Sequence, residues 1–317
     1  MSFKGPHLIG IRGMKKEDVL FLLETSEKFL EVGERSIKKV PALRGKTIIN
    51  LFLEPSTRTR TSFEIAGKWL SADVINVSGS SSSTTKGETL TDTALNLKSM
   101  KPDIIVLRHA YSGACELLAR LVPGVSIVNA GDGTHEHPTQ ALLDCLTLKQ
   151  KFGRYDGLTI TMVGDSLRSR VARSNIHIHQ ILGNKVRVVA PPTLVDKGFR
   201  EMGVEVFYKL EDALPGSDVV MSLRMKHEYQ NDQYVPNLDE YAERYIVSEK
   251  IISKCCPEAV VMAPGPMIRG TEITSEVADG PRSLIFNQVT CGVAVRMAVL
   301  FLLSGNKGQE IDSVEVA

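Results

Sequence analysis

Runs of consecutive apolar residues, spaced by helix-length stretches, constrain this chain most. "TIINLFL", "PDIIVLRH", "VSIVNAGDG", "LTITMVGD", "KVRVVAP", "VEVFY", "SDVVMSL" and "AVVMAPGP" do not alternate apolar with polar residues. Strands of that kind are buried on both faces, as in a parallel sheet covered by helices. Helix-period stretches fall between them. Ser62–Leu70 puts Phe63, Ala66, Gly67 and Leu70 on one stripe, and Thr89–Met100, Pro138 to about Phe152, Ser169–Leu182 and Asn287–Leu303 follow. The alternation predicts an α/β protein: two doubly wound parallel-sheet domains with the active site between them.

Two domains also follow from the 317-residue length, since a single core rarely grows past about 250–300 residues. The expected first domain is 1–137, completed by a returning C-terminal helix, 287–317. The second is 138–286, with "KFGRYDG" breaking the connecting helix. A net charge of +1 gives no general pull toward nucleic acid or an anionic membrane. The five cysteines fit no disulfide framework, and Cys255-Cys256 has no C-x-x-C partner, so a reduced, cytoplasmic setting is expected. The start, "MSFKGPHLIGIRGMKKEDV", has no apolar core of a secretory signal. The tail "VAVRMAVLFLLSG" carries Arg296 and reads as a buried helix, not a membrane span.

In open α/β sheets, ligands bind beyond the carboxyl ends of the strands. Ser56-Thr57-Arg58-Thr59 stands there, between a strand and a helix, where backbone N–H groups and the helix dipole face the turn. The same residues suit a phosphate seat or a solvated N-cap with exposed arginines. "GKT" at Gly45–Thr47 is no P-loop, because it precedes the strand and lacks the upstream glycine. Arg108 in "LRHA", Arg170 in "VGDSLRSRVARSN" and Arg224 in "LRMKHEY" stand past other strands. "NAGDGTHEHPTQ" adds His137 and Gln140 at a helix start, and Pro264-Gly265-Pro266 forms a rigid turn offering carbonyls. His135 and His137 lack a third ligand nearby, so no metal is expected; His177 and His179 read as structural. "SGSSSSTTKGET" is a serine-rich loop with Lys86 at its base. Together these describe a seat for a ligand with several anionic groups, handled by positioning and charge stabilisation rather than by a covalent nucleophile.

"EPSTRTRTSFE", "KGET", "LRH", "NAGDG…HPTQALLD", "VGD…SRVARSN", "PGP…RG.EI" and "GVAVRMAVL" resemble the motifs of the transcarbamylase family, in its order and over nearly the whole chain. "HPTQ", with Thr139 where ornithine enzymes carry a cysteine, is similar to the aspartate branch. The resemblance implies transfer of the carbamoyl group of carbamoyl phosphate to the amine of L-aspartate. The products would be N-carbamoyl-L-aspartate and phosphate, early in pyrimidine synthesis, with no cofactor. It implies that Ser56, Thr57, Arg58, Thr59 and Arg108 hold the phosphate. Thr59, Arg108 and His137 would polarise the carbonyl, and Gln140 with the carbonyls of Pro264 and Gly265 would hold the carbamoyl NH2. Arg170 and Arg224 would take the aspartate carboxylates, with Lys86 beside them. Ser82 and Lys86 would come from a neighbouring subunit, making a homotrimer with shared sites. Glu54 would orient Arg170. Regulatory chains or a dihydroorotase are partners the resemblance leaves open.

Two positions depart from the family pattern. Lys226 stands where glutamine is usual, close to the amino-acid substrate, and Tyr229 where the resemblance implies an arginine of an interdomain ion pair. Three other readings stand beside the leading one: a transcarbamylase for another amine such as ornithine, a non-catalytic subunit that binds a phosphate ligand, and a nucleic-acid binder using "STRTRT" and "RSRVARS". Near-zero net charge and a single tryptophan weigh against the last.

Overall fold

The computed structural model describes residues 5–79, 88–225 and 234–305. The chain divides into two compact units, Met1–Leu146 with Thr290–Ala317, and Thr147–Val289.

The first unit begins with α1 (Lys16–Glu34) and alternates thereafter: β1 (Thr47–Phe52), α2 (Thr57–Trp69), β2 (Asp73–Ser78), α3 (Leu90–Ser99), β3 (Ile104–His109), α4 (Ala114–Leu121) and β4 (Ser126–Asp132). Its four strands are all parallel, in the order β2-β1-β3-β4. The apolar runs explain this. Ile48, Ile49, Leu51 and Phe52 of β1 are all buried, so both faces need cover. On one face Ile49 and Leu51 pack with Ala94 and Leu97 of α3 and Cys115 and Leu118 of α4. On the other, Gly67 lets α2 approach closely: a Cβ there would stand 2.6 Å from Val74 Cγ2 and 3.3 Å from Ile48 Cδ1.

Helix α2 starts earlier than the apolar stripe predicts. The stripe opens at Ser62, whereas the helix opens at Thr57. Polar first turns carry no periodic signal, so Thr57, Arg58 and Thr59 form that turn rather than precede it.

Helix α5 (Pro138–Phe152) carries the first boundary between the units. The second unit holds β5 (Thr159–Val163), α6 (Arg170–Leu182), β6 (Lys185–Val189), β7 (Glu205–Phe207), α7 (Leu210–Ala213), β8 (Val219–Ser222), α8 (Leu238–Tyr245), α9 (Glu249–Cys255), β9 (Val260–Met262) and α10 (Ser275–Ala278). These five strands are parallel as well, in the order β7-β6-β5-β8-β9. One side of the sheet is filled by Ile160, Met162, Ile176, Val188, Phe199 and Met221. The other is filled by Val163, Val189, Val220, Tyr241, Ile252 and Val261. Helix α11 (Ile285–Leu303) closes the described chain. It is long and apolar enough to cross a membrane by composition, and its window is 72% buried inside the protein.

Each strand order reverses once. In the first unit β1 leads outward to β2 and then back across to β3; in the second β5 leads to β6 and β7, then back to β8. A crevice opens at the carboxyl ends of strands flanking such a reversal. Those ends are β1 with β3, and β5 with β8.

Candidate active site

In the first unit the reversal places Ser56 and Arg108 side by side. Phe52, the last residue of β1, is in register with Arg108 on β3, and Leu53 N–H donates to the Arg108 carbonyl at 2.9 Å. Ser56 is the N-cap of α2, but its hydroxyl makes no capping hydrogen bond, and the first turn contains no acidic residue. By contrast α3 is closed by a full capping box between Thr89 and Asp92. An N-terminus without a side-chain cap or an acid suits an external anion. Beside it lies a cavity of about 340 Å³ lined by Phe52, Leu53, Pro55, Ser56, Thr57, Arg60, Ser78 and Gly79. Arg60 in that lining was not among the sequence candidates; its place on the first turn of the helix, two residues after Arg58, was the available signal.

Arg58 keeps an exposed side chain, yet desolvation by surrounding protein lowers its pKa. Arg108 is braced: Nη1 donates to the Ala130 carbonyl at 3.1 Å and Nη2 to Glu54 Oε1 at 3.2 Å. Glu54 thus pairs with Arg108, and only 12% of the Arg108 side chain is exposed.

The stretch after β4 is shaped around Asp132, which is fully buried. Its carboxylate accepts from Gly113 N–H at 2.8 Å, Asn129 Nδ2 at 2.7 Å and Glu136 N–H at 3.3 Å. Glu136 in turn accepts from Ile11 N–H at 2.7 Å and Arg12 N–H at 3.1 Å. This scaffold leads into α5 with His137 and Gln140 both buried. His135 instead pairs with Asp132 at 3.1 Å, and that hydrogen bond raises its pKa. Among the described residues no three His, Cys, Asp or Glu side chains group as a metal site.

Behind His137 and Gln140 lies a buried polar chain that the sequence reading did not include. Gln140 Nε2 donates to Asp144 Oδ1 at 2.9 Å, one turn along α5. Arg296 on α11 is 4% exposed, and its Nη1 donates to Ser62 Oγ of α2 at 3.0 Å and to the Gly292 carbonyl at 2.9 Å. Its guanidinium lies 5.1 Å from the Phe63 ring centroid. Burial pulls the Arg296 pKa down to about 10; Asp144 acts against that, while Arg58 and Arg108 add to it. Arg296 therefore feels both the carboxylate and the two cations of the anion seat. Gly292 leaves room for it, since a Cβ at that position would stand 2.5 Å from Arg296 Nη1. The i, i+4 spacing of Gln140 and Asp144, and a lone arginine in an apolar helix, were the signals available.

In the second unit, Arg170 is the first residue of α6, 7% exposed, just after Ser169, whose hydroxyl accepts from Ala172 N–H at 3.1 Å. The preceding turn is held by Asp165, 1% exposed, which accepts from Arg168 Nε at 2.8 Å. Arg224 follows β8, the strand next to β5. Beside it, the buried Glu272 carboxylate accepts from Met225 N–H at 2.5 Å and Ile268 N–H at 2.8 Å. Burial raises the Glu272 pKa to about 7, against the pull of those two N–H groups and of the Arg224 charge. Glu272 thus ties the Arg224 segment to the one after Pro264 and Gly265, which are half-buried beyond β9. Glu272 stands in the "RG.EI" stretch of the family resemblance, although no site role was expected of it. His179 is buried with Nδ1 3.0 Å from Asn184 Nδ2, and burial lowers its pKa to about 4, a structural role. Ser82, Lys86, Lys226 and Tyr229 lie outside the described residues.

The sequence candidates thus form two groups, one per unit. Ser56, Thr57, Arg58, Thr59, Arg108, His137 and Gln140 gather at the carboxyl ends of β1, β3 and β4, and Arg170, Arg224, Pro264 and Gly265 at those of β5, β8 and β9.

Comparison with known proteins follows the same division. Residues 6–150 match the profile of the aspartate/ornithine carbamoyltransferase carbamoyl-P binding domain, and residues 156–303 that of the Asp/Orn binding domain. The chain is 53% identical over 303 residues to an aspartate carbamoyltransferase catalytic subunit of Desulfotalea psychrophila, covering 96% of this chain and 95% of that one. Among solved structures it is similar to aspartate transcarbamoylase from Trypanosoma cruzi in complex with carbamoyl phosphate: TM-score 0.85, 29% identity, covering 94% of this chain and 96% of that one. It is equally similar in fold to ornithine carbamoyltransferase from Pyrococcus furiosus: TM-score 0.85, 27% identity, covering 98% and 100%. Fold likeness therefore does not separate the two acceptors; the far higher identity to the aspartate subunit does.

Proposed function

Because this chain belongs to the aspartate/ornithine carbamoyltransferase family, we infer that it is an aspartate carbamoyltransferase catalytic chain. It moves the carbamoyl group of carbamoyl phosphate to the amine of L-aspartate, releasing phosphate. The observation that carries the reading is the uncapped, acid-free start of α2, which follows a strand whose last residue is in register with a braced Arg108.

The residues take these roles in the reading. Amide N–H groups at Thr57–Thr59, with Arg58 and Arg108, receive the phosphate. Thr59, Arg108 and His137 face the carbonyl, where donors aimed at the developing oxyanion stabilise the tetrahedral intermediate most. Gln140 and the carbonyls of Pro264 and Gly265 hold the carbamoyl NH2. Arg170 and Arg224 receive the two carboxylates, which an ornithine side chain does not supply. The aspartate amine attacks the carbonyl carbon, the C–O bond to phosphate breaks, and the departing phosphate accepts the amine proton. No separate protein base is needed, and positioning supplies much of the rate. Ser82 and Lys86 of a neighbouring copy complete the site, in a cytoplasmic homotrimer serving pyrimidine synthesis.

The test offers aspartate, ornithine and putrescine separately with carbamoyl phosphate, and measures each carbamoylated product and phosphate release. The expected result is N-carbamoyl-aspartate alone. Faster turnover of ornithine, or none with aspartate, refutes the assignment.

A further inference from the structure

We propose that Asp144 and Arg296 are positioning residues that fix which end of the Gln140 amide meets the donor, so that the site favours a carbamoyl NH2 over a methyl group. The proposal rests on the carbamoyl phosphate reading above and goes beyond it to donor selectivity.

The selectivity turns on the Gln140 side chain. Its amide has one accepting and one donating end, of nearly equal shape, so only the surroundings decide which faces out. Asp144 Oδ1 lies 2.9 Å from Nε2 and is fully buried. A carboxylate accepts hydrogen bonds and cannot donate them. Gln140 therefore spends its NH2 inward and turns Oε1 away from Asp144. An outward oxygen accepts from an amide NH2 and has nothing to offer a methyl group. A site that hydrogen-bonds a substrate NH discriminates strongly against the analogue lacking it, because its own polar atom is left unpaired.

Arg296 keeps Asp144 in that role. Its charge couples to Asp144, and its Nη1 is anchored at 3.0 Å to Ser62 and at 2.9 Å to the Gly292 carbonyl. Ser62 lies on α2, the helix whose first turn forms the phosphate seat. One buried guanidinium thus anchors on the element that receives phosphate, while its charge acts on Asp144 in the element that reads the group attached to it. Neither Asp144 nor Arg296 needs to touch substrate for this.

The experiment uses the purified full chain with Asp144→Asn. The new amide has its own donor end, and the Arg296 cation draws its oxygen, which leaves an NH2 facing Gln140. Gln140 then turns over and presents its NH2 outward, against the NH2 of carbamoyl phosphate. KM for carbamoyl phosphate is expected to rise about tenfold or more. The inhibition constants of acetyl phosphate and of inorganic phosphate stay within about twofold, so the carbamoyl-to-acetyl ratio collapses. A variant that keeps the wild-type ratio overturns the proposal, and so does one that loses all three ligands in parallel, the result of a merely structural role. Arg296→Lys keeps the cation and is expected to keep the ratio even if Asp144→Asn does not fold; a ratio that collapses in Arg296→Lys overturns the role given to the cation. Wild-type turnover with aspartate is measured alongside. Its absence refutes the functional reading, whereas normal turnover with an unaltered variant ratio refutes only the present proposal.

Discussion

Replacing Glu272 by glutamine isolates one buried charge in the second unit. The carboxyl is 2% exposed, and its pKa rises from 4.5 to about 7 on folding. The sign follows from proton counting. Below pH 4.5 both states hold the proton, so the group adds no pH dependence. Between 4.5 and about 7 the unfolded chain has released it while the folded chain keeps it, so stability falls as pH rises. Above about 7 both are ionised and the loss is complete. At about 1.4 kcal/mol for each pH unit between the two pKa values, the total is about 3 kcal/mol. Glutamine cannot ionise. It still accepts from one of Met225 N–H and Ile268 N–H, and turns its own NH2 toward the other. That mismatch costs about 1–3 kcal/mol at every pH and does not alter the slope. The assay is urea unfolding followed by far-UV circular dichroism from pH 4.5 to 8, wild type against Glu272→Gln at equal chain concentration. The wild-type advantage should shrink by about 3 kcal/mol across that range. Two stability curves that stay parallel refute the raised pKa.

Arg58→Ala should abolish turnover while the circular dichroism spectrum stays native; when mixed with Lys86→Ala chains, equally inactive, it should regain partial activity, and no rescue after verified subunit exchange argues against shared sites. Gly67→Ala should destabilise the first unit by about 1–3 kcal/mol, because the new methyl group would stand 2.6 Å from Val74 Cγ2 on a stiff β-branched side chain. Urea unfolding followed by fluorescence of Trp69 reads this directly, and an unchanged midpoint refutes the close-approach argument.

The sheets were legible because Ile48–Phe52 or Val219–Ser222 leave no polar face, and only a strand covered on both sides tolerates that. The arginines at strand ends were legible for the same reason: once the strands are placed, Arg108 falls in the last residues of one strand, and Arg170 and Arg224 beyond the carboxyl ends of two others. The start of α2 was not legible, because Thr57–Thr61 has no apolar stripe and the helix is set there by the chain leaving β1. The inner polar supports were hidden by distance along the chain. Ser62 and Arg296 meet across 234 residues, and Met225 and Glu272 across 47. Neither partner of such a pair names the other until the fold brings them together.

The tight fit of Gly292 against the Arg296 guanidinium couples these two positions. Swapping glycine for alanine inside a helix usually firms it by about 1 kcal/mol, an improvement open to engineers and to drift alike. At residue 292 that gain is opposed, since the added carbon would land 2.5 Å from Arg296 Nη1 and the guanidinium would have to shift from its bonds to Ser62 and the Gly292 carbonyl. A side chain at position 292 therefore comes at the expense of the bond that ties the buried cation to α2.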